Sequence, residues 1–266
     1  MSRTLDDELT LAVELADICD GVTLPLFESR NVAVEHKADR SEVTAADREA
    51  ERRVVEYLAV NRPDHAVFGE EHGTAGEQGA DWTWIIDPID GTSGFTRGIP
   101  VWATLIALEH RRDGLRVAMI SAPALGRRWW ATAGGGAWAD GRRCAVSTVT
   151  SIAEAQVNIV LNDGWDELGA TDALVRLALD ARRSRGMGDF WQHCLVAEGA
   201  VDVAVDAVGL EPYDIAAVRL LVEEAGGRLT DRLGRPSHAG PTAISSNGLL
   251  HDEVLARLDA PVPYGR

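Results

Sequence analysis

The period of the apolar residues changes near residue 65, and this change constrains the fold more than any other feature of the chain. Before it, Leu5, Leu9, Ala12, Ala16, Cys19 and Leu26 recur at helical spacing and predict an amphipathic helix over 5–28, with Asp6, Asp7 and Glu8 in its first turn to complement the dipole. "SEVTAADREAERRVVEYLAVNRP" predicts a second helix that turns Val54, Val55 and Leu58 inward and ends at Asn61-Arg62-Pro63; the polar loop "HKADRSE" separates the two. Beyond residue 65 the pattern is that of strands: "HAVFGEE", "WTWIID", "VWATLIALE", "LRVAMISAP" and "RRWWATA", closed by the turn "ADGRR". The tryptophans of "RRWW" suit either packing or a ligand. The second half then predicts strand "AQVNIVLN", helix "TDALVRLALDARR", turn "RGMGD", helix "FWQHCLVAEGA", strand "VDVAVDA", helix "PYDIAAVRLLVEEAGG", strands "GRLTD" and "TAISSN", and helix "LLHDEVLARL". Elements come in pairs instead of alternating one for one, which predicts a layered α+β architecture. A boundary near 140–150 divides it into an N-terminal α+β half, 1–145, and a C-terminal α/β half, 146–266.

The net charge of −16, from 26 basic and 42 acidic residues, offers no positive field to a phosphate backbone and argues against a nucleic-acid partner. It would argue equally against a phosphorylated substrate, unless bound metal supplies the positive charge. No apolar run reaches the roughly 18 residues of a membrane span, and the N-terminal stretch mixes acids among its apolar positions; both predict a cytoplasmic protein. Cys19, Cys144 and Cys194 are too scattered for a disulfide framework or a zinc knuckle.

Three acidic clusters stand out: Glu70 and Glu71 in "GEEH", Asp87 and Asp90 in "DPID", and Asp214 in "PYDIAA". Any one of them alone is ordinarily a cap or a solvated charge. Jointly they suggest a site, because Glu70 and Asp87 each end a predicted strand, where functional groups gather. Pro88 keeps Asp87 extended and brings no N–H to compete for its carboxylate. The turn that follows carries Asp90 to the same side and frees the Ile89 carbonyl as a neutral ligand. Oxygen donors of this kind suit Mg2+, whereas zinc asks for His or Cys. Gly91 permits close backbone approach, and "GTSGF" enters a helix whose free N–H groups suit a phosphate, with Thr92 equally suited to capping that helix.

"WIIDPIDGTSGF" resembles the D-P-[IL]-D-G-T-x-x-F signature of the inositol monophosphatase family. "GEEH", "PYDIAAVRLLVEEAGG" and "KADRSEVTAAD", with Lys37, Thr44 and Asp47, resemble its other motifs in the same order, from about residue 30 to 258. The resemblance implies a layered αβαβα sandwich and Mg2+-dependent hydrolysis of small phosphate monoesters. It implies that Glu70, Asp87, the Ile89 carbonyl, Asp90 and Asp214 hold two or three Mg2+ ions. It further implies that Gly91, Thr92 and Ser93 bind phosphate, and that Thr92 and Asp47 orient and deprotonate the attacking water, with Glu70 assisting. A homodimer is also implied. Two positions depart from the pattern: Gly94 replaces the usual Asn before Phe95, and Tyr213 stands where many members have Trp.

"PVWATLIALE", "SAPALGRRWWATAGGGAW", "GDFWQHCLVAEGAVDVAV" and "SSNGLLHDEVLARL" most resemble the histidinol-phosphatase branch, particularly its actinobacterial members. The substrate implied is L-histidinol phosphate of histidine biosynthesis, which carries an ammonium and an imidazole. Asp189, Asp206 and Glu211 are candidates to meet a cationic amine, and Arg185 suits either a phosphate contact or the surface. Asp206 falls where inositol phosphatases place a Glu, so an acid there does not discriminate. Asn247 suits either a substrate contact or a turn, and His193, in an apolar helix, suits a satisfied core histidine. The alternatives are an inositol-1-monophosphatase or related sugar or nucleotide phosphatase, and a non-catalytic metal- or phosphate-binding protein.

Overall fold

The computed structural model describes residues 3–30, 34–36 and 42–259. Helix α1 (Leu5–Ser29) starts at Thr4, whose hydroxyl accepts from the Asp7 N–H while Asp7 accepts from the Thr4 N–H, a reciprocal cap that stabilises the helix by about 1 kcal/mol. An antiparallel pair, β1 (Val34–His36) and β2 (Glu42–Thr44), occupies both edges of the expected polar loop and leads into α2 (Ala45–Asn61).

Next come β3 (Ala66–Gly69), β4 (Gly73–Gly76), β5 (Trp82–Asp90), the short helix α3 (Thr92–Thr96), β6 (Ala103–His110), β7 (Gly114–Ala122), β8 (Arg127–Thr132), β9 (Gly136–Ala139) and β10 (Arg142–Arg143). Their sheet has the order β10-β9-β8-β7-β6-β5-β3-β4 and is antiparallel except between β3 and β5. Residues 144–155 lead to the second set: β11 (Gln156–Ile159), α4 (Asp163–Glu167), α5 (Thr171–Asp180), β12 (Arg183–Arg185), α6 (Asp189–Ala197), β13 (Val203–Val205), α7 (Pro212–Glu224), β14 (Arg228–Thr230), β15 (Ile244–Ser246) and α8 (His251–Asp259). The second sheet has the order β12-β11-β13-β15-β14, with β12, β11 and β13 parallel.

The period-two alternation of β5 shows how the layers form. Trp84 and Ile86 point to α1 and α2, where they pack with Leu11, Leu15, Val54 and Leu58. Ile85 points the other way, into a core shared with Phe190 and Cys194 of α6 and Ile215 and Leu221 of α7. That core also reaches Leu229 and Ala204 of the second sheet. On the second sheet's far face Val157, Val203 and Ile244 pack with Leu174 and Leu177 of α5 and Val254 of α8. The result is five layers, α1/α2, sheet, α6/α7, sheet, α5/α8, the αβαβα sandwich expected.

Each fully buried large side chain contributes about 1.5–3 kcal/mol, and Trp84, Trp102, Trp129 and Trp165 are all in this class. Of the paired tryptophans, Trp129 is core, its indole N–H donating to Glu198 Oε1 at 2.7 Å, and Trp130 packs half-buried toward α1. All three cysteines are free and buried. No described helix is long and apolar enough to cross a membrane.

Candidate active site

In a regular strand, residues three apart face opposite sides. Asp87 and Asp90 escape this because β5 carries a bulge against β6: Asp87 pairs with Leu105 and Asp90 with Ala103, so one extra residue is absorbed and both carboxylates share the face of Leu105 and Ala103. The extra backbone is held locally. The Thr104 hydroxyl donates to the Pro88 carbonyl at 2.8 Å, the Ile89 N–H donates to Asp87 Oδ1 at 2.9 Å, and the Thr92 hydroxyl donates to the Ile89 carbonyl at 2.9 Å. A carbonyl has two lone pairs, so Ile89 keeps one for a further partner.

Helix α7 lies on the same face and brings Asp214 in its first turn, where Asp214 Oδ2 accepts from the Glu211 N–H at 2.7 Å. One oxygen from each of Asp87, Asp90 and Asp214 lies within 4.8 Å of the others.

Such crowding is unfavourable for bare charge. Burial first, then the charges of Glu70, Asp90, Asp214 and Asp47, hold the Asp87 carboxyl well above its usual range. Burial and the charges of Asp189 and Asp214 do the same at Asp90. Asp214 is pushed up to about 7, by burial and then by Glu70 and Asp206 against the opposing Glu211 N–H bond. A divalent cation relieves all three at once. The donors are oxygens throughout, and among the described residues no His or Cys joins the cluster, so the set fits a hard cation and not zinc.

Glu70 follows β3, whose Gly69 lies beside Ile86 of β5, so Glu70 stands beside Asp87. Glu51 of α2, fully buried, shapes this turn by accepting from the Glu71 and His72 N–H groups at 2.8 Å. Sequence reasoning missed Glu51. The available signal was a carboxylate one helical turn beyond Asp47 and between the inward-facing Ala50 and Val54.

Asp47 is itself fully buried at the start of α2: its Oδ2 accepts from the Thr44 N–H at 2.8 Å and the Thr44 hydroxyl at 2.6 Å, while Oδ1 has no protein partner. Burial, followed by the charges of Glu70 and Glu71 against the Thr44 bonds, pushes Asp47 up to about 7. The hydroxyl it holds is that of Thr44, whereas the Thr92 hydroxyl is turned to Ile89.

Gly91 begins α3 at φ +86°, and a Cβ there would lie 3.0 Å from the Val101 carbonyl and 3.2 Å from Asp189 Oδ2. Asp189 therefore borders the expected phosphate loop. It holds a left-handed φ of +57°, uncommon for a residue with a side chain, and its neighbour Phe190 donates its N–H to Asp90 Oδ2 at 2.7 Å. Asp206, buried at the end of β13, is near enough that its charge acts on Asp90 and Asp214.

Other expected residues have other partners. Ser93 is exposed, with its hydroxyl against the Arg97 guanidinium. Arg185 is exposed at the end of β12 and donates to the Ser184 carbonyl. Glu211 caps α7, and Asn247 Oδ1 accepts from the Leu249 and Leu250 N–H groups ahead of α8, a turn role. Gly94 approaches the Val101 carbonyl, with 3.0 Å to an added Cβ, and Tyr213 packs on Phe68. Lys37 lies outside the described residues.

The model of the inositol monophosphatase family matches residues 5–260. A histidinol-phosphatase of Mycobacterium tuberculosis is 44% identical, covering 96% of this chain and 98% of that protein. One of Streptomyces coelicolor is 42% identical, covering 95% and 97%. Among solved structures, an IMPase of Thermotoga maritima superposes with a TM-score of 0.84 at 32% identity, covering 95% of this chain and 97% of that one. Bulge, carboxylates, layers and sequence agree, and the chain belongs to the inositol monophosphatase family.

Proposed function

We propose that the chain is a Mg2+-dependent phosphate monoesterase that hydrolyses L-histidinol phosphate to L-histidinol and phosphate. The observation that carries this reading is the buried convergence of Asp87, Asp90 and Asp214, which is stable as charge only around cations, in a chain 42% and 44% identical to two histidinol-phosphatases.

In this reading Glu70, Asp87, Asp90, Asp214 and the Ile89 carbonyl hold Mg2+. When bound, Mg2+ supplies the positive charge that an acidic chain lacks toward a phosphate dianion, and it acidifies water. Asp47, with one oxygen unpartnered and its carboxyl raised to about 7, takes the proton of the attacking water, with Glu70 beside it as a second acceptor. Thr92 orients the water, and the backbone N–H groups of Gly91, Thr92 and Ser93 hold the phosphoryl oxygens. Asp189 and Asp206 receive the cationic end of the substrate, and Arg185 is a phosphate contact only if its strand end moves toward the site. Residues 1–145 then supply the metal and phosphate loops, and 146–266 supply Asp214 and the groups that select the substrate. The working unit is a homodimer.

The test is kcat/KM across a panel of esters with Mg2+ and with chelator. L-histidinol phosphate is expected to be preferred and chelator to abolish turnover. Turnover of inositol 1-phosphate a hundredfold better than L-histidinol phosphate would reject the substrate, and no turnover of any ester would reject the reaction.

A further inference from the structure

His193 of α6 joins two side chains of the second sheet by polar contacts, Asp206 at the end of β13 and Ser245 of β15. It lies one turn beyond Asp189 on α6 and so faces the same way. Its Nε2 is 2.9 Å from Asp206 Oδ2, and its Nδ1 is 2.8 Å from the Ser245 hydroxyl on β15. The other oxygen of Asp206 accepts from the Ala207 N–H at 2.8 Å.

A Ser, His and Asp in line suggest a nucleophilic triad, but Ser245 is fully buried on the strand next to Ala204 and its hydroxyl reaches no substrate. The order of contacts is also reversed, since in such triads the serine meets Nε2 and the carboxylate meets Nδ1. The chain of bonds runs outward instead, from the second sheet through the ring to Asp206.

We propose that His193 is a positioning residue, anchored by Ser245, which holds the Asp206 carboxylate aimed at the cationic group of the substrate. This rests on the function proposed above. With Nε2–H donating to Asp206, Nδ1 is left to accept from the Ser245 hydroxyl, so one placement of the ring proton gives both nitrogens a partner. Without the ring, Asp206 keeps one donor only. A buried carboxylate that loses a donor swings toward another partner, and the change of aim weakens its attraction for an ammonium. The same helix carries Asp189 and, through the Phe190 N–H, is tied to Asp90. One rigid element thus sets the cation-binding carboxylates against the metal-binding ones.

The two polar replacements of His193 separate positioning from mere packing. A Gln amide extends as far as Nε2 and donates to Asp206; an Asn amide extends only as far as Nδ1 and meets Ser245. KM and kcat of the Mg2+-loaded enzyme are to be measured for L-histidinol phosphate and for glycerol phosphate, with the Tm of each variant. His193→Gln should keep both KM values within about threefold. His193→Asn should raise KM for L-histidinol phosphate tenfold or more, with kcat and the constants for glycerol phosphate within about threefold. Any other pattern overturns the proposal: Asn keeping the preference, Gln losing it, or both esters suffering alike. Wild-type enzyme that does not prefer the amine-bearing ester overturns the proposed function and this inference together; a wild-type preference retained by His193→Asn overturns the inference alone.

Discussion

A Cβ on Gly69 would lie 2.2 Å from Glu51 Oε1, so the end of β3 and the buried carboxylate of α2 occupy adjoining space with none to spare. A flexible carboxylate ordinarily gives way, but this one is fully buried and holds the N–H groups of Glu71 and His72. Gly69→Ala should therefore break those bonds and displace Glu70. We expect a loss of about 1–3 kcal/mol in denaturant unfolding and a fall in kcat of tenfold or more. Glu51→Gln keeps the volume but turns a donor toward a backbone N–H, and it should cost less stability than Gly69→Ala while lowering kcat in the same direction. Unchanged activity in Gly69→Ala would show that Glu70 is not fixed by this turn.

Gly91 is constrained twice over, by φ +86° and by the 3.0 Å between an added Cβ and the Val101 carbonyl. Gly91→Ala should cost about 1–3 kcal/mol, the strain of a left-handed residue together with the contact. Because the same Cβ would press on Asp189 Oδ2 at 3.2 Å, KM for a cationic ester should rise in addition to the loss in kcat. Thermal unfolding alongside steady-state kinetics separates the two effects; a variant of wild-type stability would show that the loop relaxes freely.

Asp87→Asn removes one of several like charges gathered in a buried space and keeps the shape. The metal-free protein should be no less stable, and should gain up to about 1–2 kcal/mol at neutral pH. Turnover should fall by at least a thousandfold, and the stabilisation given by Mg2+ should shrink. An active Asp87→Asn would reject Asp87 as a ligand.

Most of the layers were readable because the apolar period of α1, α2, β5 to β8, α6 and α7 agrees with what each element buries. Strands β4 and β9, "GTAG" and "GAWA", were not: glycine and alanine carry little strand propensity, and only pairing with β3 and β8 makes these stretches extended. The site divides in the same way. Pro88 between two acids announced a turn, although the device is a bulge whose register depends on β6, which local sequence does not encode. Glu51 and His193 resembled ordinary helix residues, because their partners, the N–H groups of Glu71 and His72 and the carboxylate of Asp206, are brought to them by tertiary packing.

The raised carboxylates fix how Mg2+ binding must vary with pH. Asp47 and Asp214 are held at about 7 and Asp87 and Asp90 above their usual range, so below neutral pH the metal-free site retains protons that a cation must displace. Mg2+ affinity should therefore fall steeply as pH drops below about 7, by up to tenfold per pH unit for each proton displaced. Stability carries the opposite sign in the absence of metal. A carboxylate whose folded value lies above its unfolded value near 3.8 lends its stabilisation fully below that unfolded value and loses it as pH rises through about 7. These groups thus weaken the metal-free fold between about pH 4 and 7, where Mg2+ gains the charge it needs. Saturating Mg2+ should raise Tm much more at pH 8 than at pH 5.5, and taking the difference with and without metal at each pH removes the contribution of the buried histidines. Equal increments at both pH values would mean that the carboxylates are already charged in the empty site, and the cation would then have no repulsion to relieve.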